Sequence, residues 1–420
     1  MNATNEAGLP IMAARERLAV MGWIPPRSEY FHHVPPPAAD VWLGEAEGAA
    51  SAAAPAADAR DGWQLDIADD ASRARVDVQW LDAADPAQRK TLFSDTRAPG
   101  DSHQDRFVWA HRALCQHGLR LQVGSGHAAA ADAAAAPVRL ALHRSALARV
   151  EAPTLIVDVA PGTQCVLMET HDSGSVDALA QNLQIHVRVG RGARMQHLRV
   201  VTPQADSRMA HQIHVDVAGH GRYDQILIGN GSSYHQQRTE LTLDSADAQA
   251  YTGAALCISG QNTLDQQVEA LHGAERTLSD MQTLMLGSGR ARGAVNIMTR
   301  MGRGVRDART VQMMRGIPTG GGQPRITLRP HMEICHDAVE AEHGATWGSL
   351  PEDALFYARQ RGLSEQTARA LIVQGMLRAQ LAHVLDDDMD LIALLGLEQY
   401  LETAVATHLA AETRKAGAAA

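Results

Sequence analysis

The side chains with the widest chemical repertoire gather in one segment, Pro330-His-Met-Glu-Ile-Cys-His-Asp-Ala-Val-Glu-Ala-Glu-His-Gly-Ala-Thr346. It holds Cys335, His331, His336, His343, Asp337 and Glu342. Thiolate, imidazole and carboxylate together are the donor set of zinc and iron sites. Strand alternation works against convergence. Met332, Ile334 and His336 would share one face, and His331, Glu333 and Cys335 the other, so neighbours point apart. Cys335 then reads as a small buried core residue rather than a ligand. His343 adjoins Gly344 where a strand should give way to a helix, and it has two readings: a turn histidine bonded to backbone, or a site residue. An independent metal-binding module around His336 and His343 is one function this segment allows.

Familiar catalytic signatures are missing elsewhere. No G-x-x-x-x-G-K-[ST] occurs, Gly287, Gly289 and Gly293 are wrongly spaced for a dinucleotide fingerprint, and there is no G-x-S-x-G elbow. Lys90 and Lys415 are the only lysines. Schiff-base chemistry and a phosphate-gripping P-loop are thereby nearly excluded. Cys115, Cys165, Cys257 and Cys335 lie far apart, which fits neither a disulfide framework nor a four-thiolate metal site.

The elements that must position the segment show in the hydrophobic period. Leu183, Ile185, Val187 and Val189 alternate with polar residues, as do Ile213, Val215 and Val217, and Leu241 with Leu243. Period-two alternation means strands with one buried face. Strand centres fall near 186, 198, 214, 227, 241, 256, 268, 284 and 297, with glycine-bearing turns such as Gly190, Gly219 and Gly302 between them. Even spacing and only 4% aromatic residues favour a solenoid, in which each rung buries Val, Ile and Leu against the next.

Upstream, the spacing predicts an amphipathic piece over Ile11 to Met21, strands within 62 to 80, and a helix from Asp105 to Cys115. Alanine-rich stretches at Glu45 to Asp58 and Gly126 to Pro137 read as linkers. After Trp347, Ser349 with Glu352 suggests a capping box and Gly362 a helix stop. Ser364 would cap a second helix through Ala368, Leu371, Ile372 and Met376, with Leu355, Phe356, Leu371 and Ile372 packing inward. An acidic run, Asp386 to Asp390, precedes a third helix from Leu391 to about Thr413. One helix would cap a solenoid, so three suggest a docking surface bearing Arg359, Arg361, Arg369 and Arg378. Three parts are expected: a mixed α/β N-terminal region with alanine-rich linkers (1–137), a parallel β-helix (138–346) and a C-terminal helical domain (347–420).

The 420 residues carry a net charge of -10. That disfavours nucleic acid and anionic membranes as partners. No run approaches the ~20 apolar residues of a membrane helix, and no secretory h-region opens the chain, so a cytoplasmic protein is expected.

Three motifs now carry a resemblance: Arg329-Pro330-His-Met-Glu333-Ile334, His343-Gly344-Ala345-Thr346, and Asp353-Ala-Leu355-Phe356-Tyr357-Ala-Arg359-Gln-Arg361-Gly362. Together they resemble the C-terminal signature of the SufB/SufD family, scaffold subunits of iron–sulfur cluster assembly. Leu264-Asp265, His272, Gly293 and Asp307 to Gln312 are similar to its rungs, and Pro25 to Tyr30 to a motif near the start of SufD chains. The likeness spans about residues 180 to 385. No cysteine precedes Cys115, which is closer to the SufD type than to SufB. The family implies a right-handed parallel β-helix between N-terminal and C-terminal helical regions.

It further implies a non-catalytic scaffold pairing with a SufB-like subunit and docking a SufC-like ATPase, or pairing with a second copy when isolated. No stably bound cofactor is expected, only a transient iron–sulfur cluster at the partner interface. His343 is the cluster-facing and metal candidate. Leu355, Phe356, Tyr357, Arg359 and Arg361 are the ATPase-docking candidates. Many family members carry cysteine where this chain has Ala341, so a sulfur-accepting role does not transfer. The rival reading is a β-helix carbohydrate-active enzyme, disfavoured by the absent leader and absent rung lysines.

Overall fold

The computed structural model describes residues 9–45, 60–94, 96–124, 136–172, 176–385 and 396–416. The alanine-rich stretches fall almost wholly outside the described residues, as do the acidic run and the expected first turn of the last helix.

The chain winds as a parallel β-solenoid whose strands fall alternately into two facing sheets. One runs Trp63–Ile67, Val138–Ser145, Gln164–Asp172, Arg194–Val201, Arg222–Asn230, Gln249–Ile258, Leu278–Gly289, Ala308–Gly322, Val339–Trp347. The other runs Val76–Asp82, His117–Val123, Thr154–Val159, Ala180–Val189, Arg208–Val217, Tyr234–Leu243, Thr263–His272, Arg292–Met301, Arg325–Ile334. Each sheet opens with one antiparallel pair and continues in parallel. Every strand centre expected from the period lies within one of these strands. Leu183, Ile185, Val187, Ile213, Val215, Leu241 and Leu243 all sit in the core between the sheets. The helix Ile11–Met21, the early strands and the helix Asp105–Arg112 also form where the pattern placed them.

Helices cover both outer faces. Ala14, Leu18, Trp42, Phe107 and Trp109 pack over Ala210, Tyr234 and Ala294 of the second sheet. Val373, Leu377, Leu381, Leu401 and Val405, from helices Glu365–Ala382 and Leu397–Ala416, pack over Leu198, Val200, Ile226, Ile228, Leu284 and Leu286 of the first. The C-terminal helices therefore flank the solenoid and leave its last rung open.

Several local expectations change. Ser364 caps its helix, accepting a hydrogen bond from the Thr367 backbone N–H at 3.1 Å. Ser349 caps nothing: the cap position of Glu352–Gln360 is Pro351, which brings no side-chain acceptor. Leu355 and Ile372 are partly buried against the flanking cluster. Phe356 and Leu371, expected to pack inward, are 66% and 53% exposed. The helix Glu365–Ala382 instead buries Ala368, Val373, Leu377 and Leu381, a stripe rotated from the expected one.

The core is not uniformly apolar. Glu169 and Arg199 are wholly buried on the inward parity, with Arg199 Nη2 donating to Glu169 Oε1 at 3.0 Å. His197 Nε2 donates to Glu169 Oε2 at 2.8 Å, and His171 Nε2 bonds its other oxygen. Burial alone would raise the Glu169 carboxyl, but Arg199 and the two histidines outweigh it and hold it well below the usual carboxylate range. The network runs on from Arg199 through His211 and Gln181 to Glu151, and on to Arg144. Another branch passes from Arg199 through Gln237 to His235 and the Asn230 carbonyl.

Candidate functional site at the open end of the solenoid

The last rung consists of Arg325–Ile334 and Val339–Trp347. Each pairs with one strand only, Arg292–Met301 and Ala308–Gly322 respectively. Among the described residues, no strand occupies the opposite edge of either. Backbone donors and acceptors on such edges are free to pair with another chain. Core packing ends here: Ile326 is buried and Leu328 partly so, while Ile334 is 37% and Trp347 58% exposed.

His343 lies in mid-strand, not at a strand-to-helix junction, and is exposed. It stands in register with Gln312. In-register parallel neighbours share a face, so His343 extends an inward-facing column past the last covered rung. Among the described residues its ring has no hydrogen-bond partner, which removes the reading as a backbone-bonded turn histidine. Ala341 stands in register with Thr310 on the same face.

A line of buried polar groups backs this column. His272 bonds the Thr277 and Ser279 hydroxyls at 2.7 and 2.8 Å, and Ser279 bonds Thr310 at 2.8 Å. Thr310 meets Thr299 at 3.0 Å, and Gln312 Nε2 donates to Thr299 Oγ1 at 2.8 Å and to the His331 carbonyl at 3.0 Å. Burial lowers the His272 pKa to about 4, so it is neutral at pH 7. Gln312 is wholly buried, and its Oε1 has no partner among the described residues.

Cys335 departs from expectation. It is exposed, whereas Cys115, Cys165 and Cys257 are buried. The chain leaves the sheet after Ile334, and among the described residues no further rung covers the turn that follows. His336 lies in that turn, where its Nδ1 accepts from the Ala338 backbone N–H at 3.0 Å. Among the described residues, no group of three or more His, Cys, Asp or Glu side chains is arranged to hold a metal ion. The independent metal module around His336 and His343 thus lacks a ligand set.

Of the ATPase-docking candidates, Phe356 and Tyr357 are 66% and 60% exposed. The Arg361 guanidinium lies 3.6 Å over the Tyr357 ring, and Arg359 reaches Glu365 at 3.9 Å. Leu355 anchors the helix by packing against the flanking cluster. The segment similar to an N-terminal SufD motif also reaches this end: Arg329 Nη1 donates to the Glu29 carbonyl at 2.8 Å.

A family profile described as "SUF system FeS cluster assembly, SufBD core domain" matches residues 143–376, more than half of the chain. The chain belongs to the SufB/SufD family. An iron–sulfur cluster assembly SufBD family protein of Synechocystis sp. is 22% identical over 239 residues, 53% of this chain and 51% of that protein. The iron–sulfur cluster assembly protein SufD of Escherichia coli is 34% identical over 68 residues, 16% of each chain. Protein ABCI7, chloroplastic, of Arabidopsis thaliana is 38% identical over 55 residues, 13% of this chain and 12% of that one. The chain thus spans about half the length of the first of these relatives and far less of the others. Among the described residues, no helix is long and apolar enough to cross a membrane.

Sequence reasoning missed the buried Glu169–Arg199 network. A signal was present: Glu169, His171, His197, Arg199 and His211 fall on the same strand parity as Leu167, Met195 and Met209. Polar residues on a buried parity must be satisfied within the core, and here several are charged.

Proposed function

We propose that this chain is a non-catalytic SufD-type scaffold subunit of iron–sulfur cluster assembly. Its open last rung pairs with a SufB-like subunit, and the exposed face of Glu352–Gln360 docks a SufC-like ATPase. The observation that carries the reading is the last rung itself, with two strand edges unpaired among the described residues and core residues uncovered. A finished solenoid end is normally capped, so an uncapped one is built for a partner. The N-terminal SufD-like segment tied to Arg329 favours the SufD type. The cluster is cargo, held transiently at that interface with most ligands from the partner and His343 assisting. ATP-driven closure of the ATPase pair moves the two scaffold subunits and opens the interface. Cytoplasmic residence follows from this role.

Co-purification of the tagged full chain with its co-expressed SufB-like and SufC-like subunits tests the division of labour. A341K/A345K should lose the SufB-like subunit and keep the ATPase; F356A/Y357A should do the reverse. Retention of both subunits by both variants would sink the reading. H343A should change unfolding stability by less than about 0.5 kcal/mol, as an exposed unpartnered side chain would. It should also lower cluster formation in the assembled complex, measured by iron–sulfur absorbance on reconstitution. Undiminished cluster formation would remove His343 from the site.

A further inference from the structure

The corner where the chain passes from the first sheet to the second repeats itself in three successive rungs. The repeats read Gly260-Gln261-Asn262-Thr263, Gly289-Arg290-Ala291-Arg292 and Gly322-Gln323-Pro324-Arg325. Thr263, Arg292 and Arg325 stand in register on neighbouring strands, about 4.8 Å apart per step. Gln261, Arg290 and Gln323 form a second column in the turns just before them. The glycines hold these turns against each other. All three have positive φ. A Cβ at Gly289 would lie 3.0 Å from the Gly260 carbonyl oxygen, and one at Gly322 only 2.7 Å from the Gly289 Cα. No other residue permits that stacking. The two columns line a polar groove of about 550 Å³.

The groove gathers three arginines that have no carboxylate partner among the described residues. Elsewhere on the solenoid Arg191, Arg208, Arg303 and Arg315 also have none among the described residues, but several exposed and half-exposed arginines are paired with carboxylates. Arg276 meets Asp247 and Glu275, Arg300 meets Glu269 and Glu333, and Arg188 meets Asp158. Among the described residues, Arg290, Arg292 and Arg325 have no carboxylate partner, although the chain carries a net charge of -10. Three like charges held within one or two rung spacings repel one another. A small, multiply charged anion relieves that repulsion, and the planar guanidinium fork matches phosphate oxygens in pairs. The groove is lined by no aromatic ring, so it offers nothing on which a base could stack.

We propose that this corner binds an oligophosphate group, either free or as the phosphate chain of a nucleotide, with recognition resting on the phosphates. Arg292 and Arg325 grip from adjacent rungs, Arg290 closes the upper side, and Gln261 and Gln323 donate amide hydrogen bonds. Arg325 opens the last rung, so the groove lies at one corner of the open end, away from His343; phosphate binding there does not depend on the scaffold reading.

Isothermal titration calorimetry of the full chain at near-physiological salt tests it, with tripolyphosphate, pyrophosphate, ADP and AMP as ligands. Affinity should rise with phosphate number, with ADP comparable to pyrophosphate. R292A/R325A should weaken tripolyphosphate binding at least tenfold with unchanged thermal unfolding, and R292K/R325K should fall between. The exposed control R276A should bind as the wild type does. Comparable loss in R276A, undiminished binding in R292A/R325A, no dependence on phosphate number, or no binding at all would overturn the proposal.

Discussion

Arg199 sits at the branch point of the buried polar network. Its guanidinium is wholly buried and neutralises Glu169, whose remaining lone pairs take His171 and His197. Removing one partner of a buried ion pair strands the other, at a cost of about 3–5 kcal/mol. Arg199→Met should therefore destabilise the chain by that order in denaturant unfolding, and Glu169→Gln added to it should recover part of the loss. A small effect from Arg199→Met alone would mean that water reaches Glu169. The buried histidines give a second expectation. Burial lowers the pKa of His235 and His272 to about 4, while both titrate near 6.5 when unfolded. Between those values the unfolded chain binds more protons, so stability falls as pH drops from 6.5 toward 4. Within that window each histidine contributes about 1.4 kcal/mol per pH unit. Asp265 acts oppositely, because burial raises its pKa to about 7 and its neutral form is the one favoured by folding. The histidines outnumber it, so the melting temperature should decline below pH 6.5. A flat profile from 6.5 to 4 would contradict their burial as neutral groups.

Among the elements, the C-terminal helices have two faces with different duties. The inner stripe of Glu365–Ala382 and Leu397–Ala416 covers Leu198, Val200, Ile226, Ile228, Leu284 and Leu286. The outer side presents Phe356, Tyr357 and Leu371. Deleting residues 351–420 would strip the cover from a whole sheet face, and exposed apolar patches of that kind associate. The truncated chain should aggregate, or bind a hydrophobic dye strongly, on size-exclusion chromatography at neutral pH. A monodisperse truncated chain would show that the sheet stands without its cover. Point substitutions on the outer side are therefore the cleaner probe of docking.

As a whole molecule the solenoid is nearly one-dimensional, each rung stabilised by its neighbours. A terminal rung has one neighbour and frays first. Val339–Trp347 combines that position with exposure along its length. Its amides should exchange fastest of the solenoid strands in the isolated chain, as read by hydrogen–deuterium exchange, and, if the proposed pairing holds, slow at least tenfold on addition of a SufB-like subunit. Slow exchange in a monomeric isolated chain would mean that the rung is covered from within.

Strand parity and rung spacing were legible without coordinates, because a solenoid repeats one local arrangement and its inward residues must alternate. Leu183 through Leu243 went inside for that reason alone, and the caps at Ser364 and Gly362 are equally local. The exposure of Cys335 and His343 was not local. Whether a strand residue is covered depends on whether another rung follows, and only the register of Val339–Trp347 on Ala308–Gly322 shows that among the described residues none does. The same holds for the helices, whose buried stripe was set by the sheet face they meet rather than by their own period. The meeting of Glu169 with Arg199, 30 residues away, and the stacking of Arg292 on Arg325 were likewise decided by register. The amino-acid sequence determines which face of each strand is turned inward; tertiary structure decides which rung is last and which charges stand side by side, because those depend on neighbours a full turn of the chain apart.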